Sequence, residues 1–174
     1  VRFIRLLLNE AIRRMYTSRN FYPDANSTMR LSFGTVCGYT PFDGAEYDYY
    51  TTTKGVLEKV KAHVGDVDFA VQPEILSLLS SGNFGRYADE KGEMKVCFIS
   101  NNDITGGNSG SAMFNSKGEL LGLAFDGNWE AMGSDILYEP KMQRTIGVDV
   151  RYILFMIDKY GKGGNLIQEL NILN

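Results

Sequence analysis

A chain of 174 residues, with 44% hydrophobic and 22% charged residues, suits one packed domain and is too apolar for disorder. Its net charge of −3 lacks the basic excess of a nucleic-acid binder, so no nucleic-acid partner is expected. No stretch reaches the roughly 18 consecutive apolar residues of a membrane span, and a single histidine without any Cys-x-x-Cys pair leaves no zinc set. No membrane partner, metal or organic cofactor is therefore expected.

Val1 in place of a methionine points to an internal or processed chain. Arg2 and Arg5 lie near the start, but Asn9 and Glu10 interrupt the apolar run too early for a secretory leader. Residues 1–19 read as an amphipathic helix, with Ile4, Leu8, Ala11, Ile12 and Met15 at three- and four-residue steps. Phe21-Tyr22-Pro23-Asp24 breaks it. If this helix stood without the rest of a helical domain its apolar stripe would be exposed, so it is expected to pack on the following domain or on a second copy.

Residues 29–39 alternate Met29, Leu31, Phe33 and Thr35 with Arg30, Ser32 and Gly34, which predicts a strand. Pro41-Phe42-Asp43-Gly44 is a turn, and residues 47–53 have strand composition. Short helices are predicted over 54–63 and 73–79, the second with Pro73 where a missing N–H costs little. A strongly apolar strand follows at 95–100. Residues 111–114 and 120–125 make a hairpin around the turn 115–118. Asp126-Gly127-Asn128 reads as another turn, and 144–148 as a last strand. Asp149 is a plausible N-cap for a helix over 150–160 stopped by Gly161, with a further helical turn at 166–170. Many short strands without regular strand–helix alternation favour a closed or nearly closed antiparallel barrel over a parallel sheet. Cys37 and Cys97 both lie in apolar runs, where buried free thiols are common; a disulfide between them is left open.

The chemistry concentrates in Thr105-Gly106-Gly107-Asn108-Ser109-Gly110-Ser111. A serine nucleophile needs a neighbouring base and backbone N–H donors aimed at the developing oxyanion. Glycines before the serine let the chain turn sharply enough to present those donors. Gly107 and Ser109 are the natural oxyanion pair around a nucleophilic Ser109. The competing reading is a surface turn, which these residue types also favour. The α/β-hydrolase elbow fits poorly, because position 111 is serine and Ala112-Met113-Phe114 reads as a strand rather than a helix.

The run 104–111 resembles the nucleophile segment of chymotrypsin-like serine peptidases, and more narrowly the bacterial dipeptidyl-peptidase 7 and 11 group. Further stretches carry the same resemblance: Tyr22-Pro23-Asp24-Ala25-Asn26-Ser27-Thr28-Met29-Arg30, Asn102-Asp103-Ile104-Thr105, Phe125-Asp126-Gly127-Asn128-Trp129-Glu130, Gln143-Arg144-Thr145-Ile146 and Val148-Asp149-Val150-Arg151-Tyr152-Ile153-Leu154-Phe155. Ala112 departs from it, since the family usually has proline there. The resemblance implies two β-barrels with an inserted helical domain, the histidine and aspartate of the triad coming from the first barrel and the serine from the second. On that basis this chain is mainly β: residues 1–20 end the helical domain, and 21–174 form the second barrel with a C-terminal helix. The missing first barrel and helical domain become partners in the same polypeptide, and a homodimer is one arrangement left open. The resemblance also implies peptide substrates with free N-termini and a periplasmic, cell-surface or secreted location.

Residue by residue, it assigns Asp126 to the substrate α-amino group and Gly127 to the pocket for the penultimate residue. Acid-specific members carry an arginine at the position of Gly127, so glycine leans toward hydrophobic penultimate residues. Asp103, six residues before Ser109, stands at the spacing of a pocket-base acid in trypsin-like enzymes, beside the simpler reading of a loop aspartate. Asp126 and Gly127 also read as ordinary hairpin-turn residues. Trp129 and Glu130 could shape the pocket wall or cap a hairpin. His63 matches no family motif and reads as a surface residue at a helix end. The expected activity is release of dipeptides by acyl transfer, with this chain inactive alone for want of a base. The alternatives are a non-catalytic module that grips peptide N-termini and an endopeptidase of the same fold.

Overall fold

The structure, a computed structural model, describes residues 2–18, 21, 27–134 and 137–173. Helix α1 covers Arg2–Met15 and is closed by Arg13 and Arg14 in its last turn, where cations complement the helix dipole. The predicted break at Tyr22-Pro23-Asp24 lies outside the described residues. The expected packing of this helix on the barrel is not found: Phe3, Ile4, Leu6, Leu7, Leu8 and Met15 are all exposed. Among the described residues, the apolar stripe of α1 stays largely exposed.

Strands β1 (Tyr39–Phe42) and β2 (Ala45–Tyr47) form a hairpin whose tight turn is Asp43-Gly44, Phe42 facing Ala45. β3 (Tyr50–Thr52), β4 (Lys95–Ser100), β5 (Ala112–Phe114), β6 (Leu120–Gly127) and β7 (Thr145–Asp149) form one antiparallel sheet in the order β3-β4-β7-β6-β5. This is the sheet-rich partial barrel with flanking helices that the resemblance implies. The single strand expected over 47–53 is split, because Asp48 turns its carboxylate back onto the Tyr49 N–H.

Residues 29–39 do not form the regular strand that their alternation predicts. They run extended along the end of β4, joined by one bridge between Val36 and Ser100 and by the Cys37 N–H to the Ile99 carbonyl. The Thr35 N–H is taken by the side chain of Asn101 instead of by a backbone carbonyl. The approach is close: a Cβ on Gly34 would stand 2.6 Å from Asn101 Oδ1, and one on Gly38 would stand 2.1 Å from the Tyr47 carbonyl oxygen.

The β5–β6 hairpin turns on Asn115, whose Oδ1 accepts the N–H groups of Lys117 and Glu119. Asp126-Gly127 is not the turn expected. β6 continues through both residues, with an irregularity between Ala124 and Asp126, and they pair with Ile146 and Thr145 of β7. A bulge re-aims the side chains beyond it, and here that sets the direction of Asp126.

Asp149 ends β7 and caps helix α4 (Val150–Phe155), accepting the Arg151 N–H at 2.9 Å. A π-helical turn, Met156–Tyr160, continues α4, and α5 spans Gly164–Glu169. Helices α2 (Thr53–Ala62) and α3 (Pro73–Ser80) pack beside α4. The most buried apolar cluster joins them: Leu79, Phe84, Tyr87, Met94 and Phe155. Phe84 and Tyr87 meet the Phe155 ring edge-on at 5.8 and 5.9 Å. Cys37 and Cys97 are free thiols.

Candidate active site

The loop carrying Ser109 consists of two successive tight turns. The Asn108 N–H donates to the Thr105 carbonyl, and the Ser111 N–H to the Asn108 carbonyl. Gly107 and Gly110 sit at φ +98° and +84°, a region that a side chain would disfavour. Gly110 N–H to Ala124 O (2.7 Å) and Ala124 N–H to Ser111 O (2.9 Å) stitch the loop to β6. Ser109 is exposed, and its Oγ has one long contact, 3.3 Å to the Phe125 carbonyl oxygen. Among the described residues, no protein acceptor takes the N–H of Gly107 or of Ser109. A developing oxyanion requires unengaged backbone donors of this kind.

Phe125 immediately precedes Asp126, so the stitching that holds the loop sets Ser109 beside the strand that carries the carboxylate. Asp126 is exposed, and its Oδ1 accepts the Gly127 N–H at 2.8 Å. Among the described residues no cation pairs with it. Behind Gly127, Asn128 locks the end of β6. Its Oδ1 accepts the Arg144 N–H (2.8 Å), its Nδ2 donates to the Met142 carbonyl and to Glu130 (2.8 Å each), and its own N–H donates to the Arg144 carbonyl.

The Glu130 carboxylate also accepts the Tyr39 hydroxyl at 2.9 Å. Burial raises the Tyr39 phenol above its ordinary value. The Tyr39 ring lies beneath the Arg144 guanidinium at 5.4 Å. Arg144 is itself buried and donates to the carbonyls of Pro140, Gln143, Gly38 and Lys141. Trp129, by contrast, is 81% exposed beside this wall.

Asp103 is half-buried. Its carbonyl accepts Ser32 Oγ at 2.8 Å, and the neighbouring Asn102 carbonyl accepts Thr145 Oγ1 at 2.7 Å. Thr145 is the register partner of Gly127, so Asp103 and Gly127 flank one strand end. Burial raises the Tyr138 phenol above its ordinary value, and the Asp103 carboxylate adds to the shift. Ser109, Gly107, Asp126, Gly127 and Asp103 thus gather around the ends of β6 and β7.

His63 does not join them. It is exposed at the C-cap of α2, its Nδ1 is 2.9 Å from the Lys59 carbonyl oxygen, and its ring stacks on Phe69. No group of three or more His, Cys, Asp or Glu among the described residues could hold a metal ion. None of the described helices is long and apolar enough to cross a membrane.

A family model described as Peptidase S46 matches residues 2–172. The chain belongs to that family. It is 57% identical over 162 residues to a dipeptidyl-peptidase 7 of Porphyromonas gingivalis, a match covering 93% of this chain and 22% of that protein. It is 46% identical over 152 residues to an Asp/Glu-specific dipeptidyl-peptidase of the same organism, covering 87% of this chain and 21% of that protein. A crystal structure of Porphyromonas endodontalis DPP11 in complex with the dipeptide Arg-Glu superposes with a TM-score of 0.81 at 42% identity, covering 92% of this chain and 23% of that one. This Peptidase S46 chain therefore spans about a fifth of the length of the relatives it matches.

Sequence reasoning within the family passed over Arg30, Tyr39, Asn128 and Arg144 as parts of the site. Arg30, Asn128 and Arg144 stood in the motifs quoted for the resemblance. Their roles were not readable there, because Arg30 reaches Thr105 and Asn108, and Arg144 the Gly38 carbonyl, across long stretches of sequence.

Proposed function

We propose that this chain carries the nucleophile, oxyanion donors and amine anchor of a serine dipeptidyl-peptidase whose general base comes from elsewhere in a longer polypeptide. The observation that carries the reading is the exposed Ser109 Oγ on a loop whose Gly107 and Ser109 amides are unengaged among the described residues, stitched to the strand bearing Asp126.

In the proposed reaction Ser109 Oγ attacks the carbonyl carbon after the second substrate residue. A histidine outside this chain takes the hydroxyl proton and returns it to the leaving amine. The amides of Gly107 and Ser109 hold the oxyanion, and water then releases the dipeptide from the acyl-serine. Asp126 holds the substrate ammonium by charge-assisted hydrogen bonds, which fixes the distance from N-terminus to scissile bond. His63 is engaged at the end of α2 and cannot supply the base from there. Without one, this chain alone is expected to be inactive by orders of magnitude.

A hydrophobic penultimate residue is the proposed preference. Gly127 brings no cation to the pocket, and identity is higher to the dipeptidyl-peptidase 7 of P. gingivalis than to its Asp/Glu-specific relative. Residues 1–20 are assigned to the end of a helical domain and 21–174 to the second barrel. The exposed apolar residues of α1, together with Met29, Leu31 and Phe33, support contact with that remainder. A periplasmic or cell-surface location goes with the same reading.

The test uses the complete polypeptide containing this chain. A fluorophosphonate should label it, and Ser109→Ala should abolish both labelling and dipeptide release. Asp126→Ala should weaken free-amine substrates at least tenfold, with little effect on a blocked N-terminus. Peptide binding without labelling or turnover would instead make this a binding module; equal losses on free and blocked substrates would remove the amine-anchor role.

A further inference from the structure

Residues 28–35 run beside the Ser109 loop, and their side chains alternate in role. Met29, Leu31 and Phe33 are 98%, 87% and 88% exposed. Arg30 and Ser32 turn the other way. Ser32 Oγ reaches the Asp103 carbonyl, and Arg30 Nη2 donates to Thr105 Oγ1 at 3.1 Å and more weakly to Asn108 Oδ1 at 3.5 Å.

Two acceptors of Arg30 bracket the oxyanion glycine. Only Gly106 and Gly107 lie between Thr105 and Asn108. Two successive glycines have the widest backbone freedom available, so their anchors decide where the Gly107 N–H points. Those anchors are tied to each other as well. Asn108 Oδ1 accepts the Thr105 N–H at 3.0 Å and Thr105 Oγ1 at 3.4 Å, and one guanidinium nitrogen closes the triangle from outside. A planar guanidinium held in one orientation suits such bridging better than a flexible ammonium.

We propose that Arg30 is a positioning residue for the oxyanion donors: by joining Thr105 to Asn108 it fixes the Gly107 peptide in the orientation that receives the tetrahedral intermediate. The inference rests on Ser109 being the nucleophile. Arg30 itself touches neither the substrate nor the reacting atoms.

A role confined to the oxyanion leaves a specific signature. Ground-state contacts of a dipeptide, its ammonium on Asp126 and its side chain beside Gly127, do not need the Gly107 amide. The tetrahedral adduct does. In the complete polypeptide, Arg30→Ala is expected to lower kcat about tenfold or more with KM within about twofold. Affinity for a dipeptidyl boronate, which forms a tetrahedral adduct on a serine, should fall by the same factor, and affinity for a decarboxylated dipeptide, which places no oxygen on the oxyanion donors, should not change. Arg30→Lys should recover part of the loss. Should Arg30→Ala fail to fold, Thr105→Val removes one of the acceptors without opening a cavity and should give the same split.

Equal losses for boronate and decarboxylated dipeptide would overturn the proposal, since Arg30 would then be shaping the pocket or the fold. No loss in either would overturn it too. Ser109→Ala separates the underlying reading: turnover surviving in that variant sinks the nucleophile assignment, whatever the Arg30 variants do.

Discussion

Gly127→Arg tests the pocket assignment most directly, and the structure predicts both its benefit and its cost. An ideal Cβ on Gly127 would stand 2.9 Å from the Ala131 Cβ and 3.7 Å from the Arg144 carbonyl oxygen. Carbon atoms normally approach to about 3.5 Å or more, so the turn over Trp129–Gly133 must give by roughly half an ångström. Overpacking of that kind costs about 1–3 kcal/mol.

The strain is common to all substrates and cancels in a specificity ratio. The new guanidinium does not cancel. A charge-assisted pair with a penultimate Glu or Asp is worth about 1.5–3 kcal/mol, or roughly 10- to 100-fold. The single variant should therefore shift the Glu-over-Leu ratio of kcat/KM by that factor while melting at a lower temperature. Adding Ala131→Gly removes the contacting Cβ and should recover part of the melting temperature with the ratio kept. Fluorogenic dipeptidyl amides ending in Leu and in Glu, with a thermal melt of each variant, read both quantities. A ratio unchanged in both variants would refute the placement of Gly127 beside the penultimate side chain; a melt unaffected by Ala131→Gly would refute the steric argument.

Three further outcomes follow from groups outside the pocket. Asp149→Ala removes the α4 cap and leaves Arg151 without its carboxylate, now held at 2.6 and 2.9 Å, so a loss of about 2 kcal/mol is expected in denaturant melts. Burial pushes the Cys97 thiol up, so iodoacetamide at neutral pH should alkylate it far more slowly in the folded chain than in denaturant, as read by peptide mass mapping. The Glu93 N–H, followed by that of Lys91, holds the Asp89 carboxyl below its ordinary 3.8. Its stabilising contribution is complete above that value and lost as pH falls through the lower folded one. Asp89→Asn should therefore lower the neutral plateau of a stability-versus-pH curve and flatten its acid limb, leaving the acid end unchanged.

Much of the local structure was legible because it depends on neighbours in the chain. The apolar run of β4, the Asn115 turn, Pro73 opening α3 and Asp149 capping α4 follow from periodicity, turn chemistry and capping acting within a few residues. Residues 29–39 misled because alternation reports a two-sided environment and not a hydrogen-bonded ladder. Here the outward apolar side is exposed, and the inward side is held by Asn101, Thr105 and Asn108 side chains. Asp126-Gly127 misled for a related reason: the pair is a strong turn signal, but pairing with Thr145 and Ile146 keeps it in β6.

What the sequence determined by itself was the chemical inventory: one serine among glycines, one carboxylate before Gly127, and a lone histidine outside every recognised motif. It also determined the short elements that carry them. Tertiary structure alone decided which of these groups meet. Ser109 lies against the strand of Asp126 because Gly110 and Ser111 pair with Ala124, and Arg30 reaches Asn108 across 78 residues because the chain from 28 to 35 runs beside the loop. Hydrogen bonds between segments so far apart in sequence leave no periodic mark in either one, so only the folded chain reveals them.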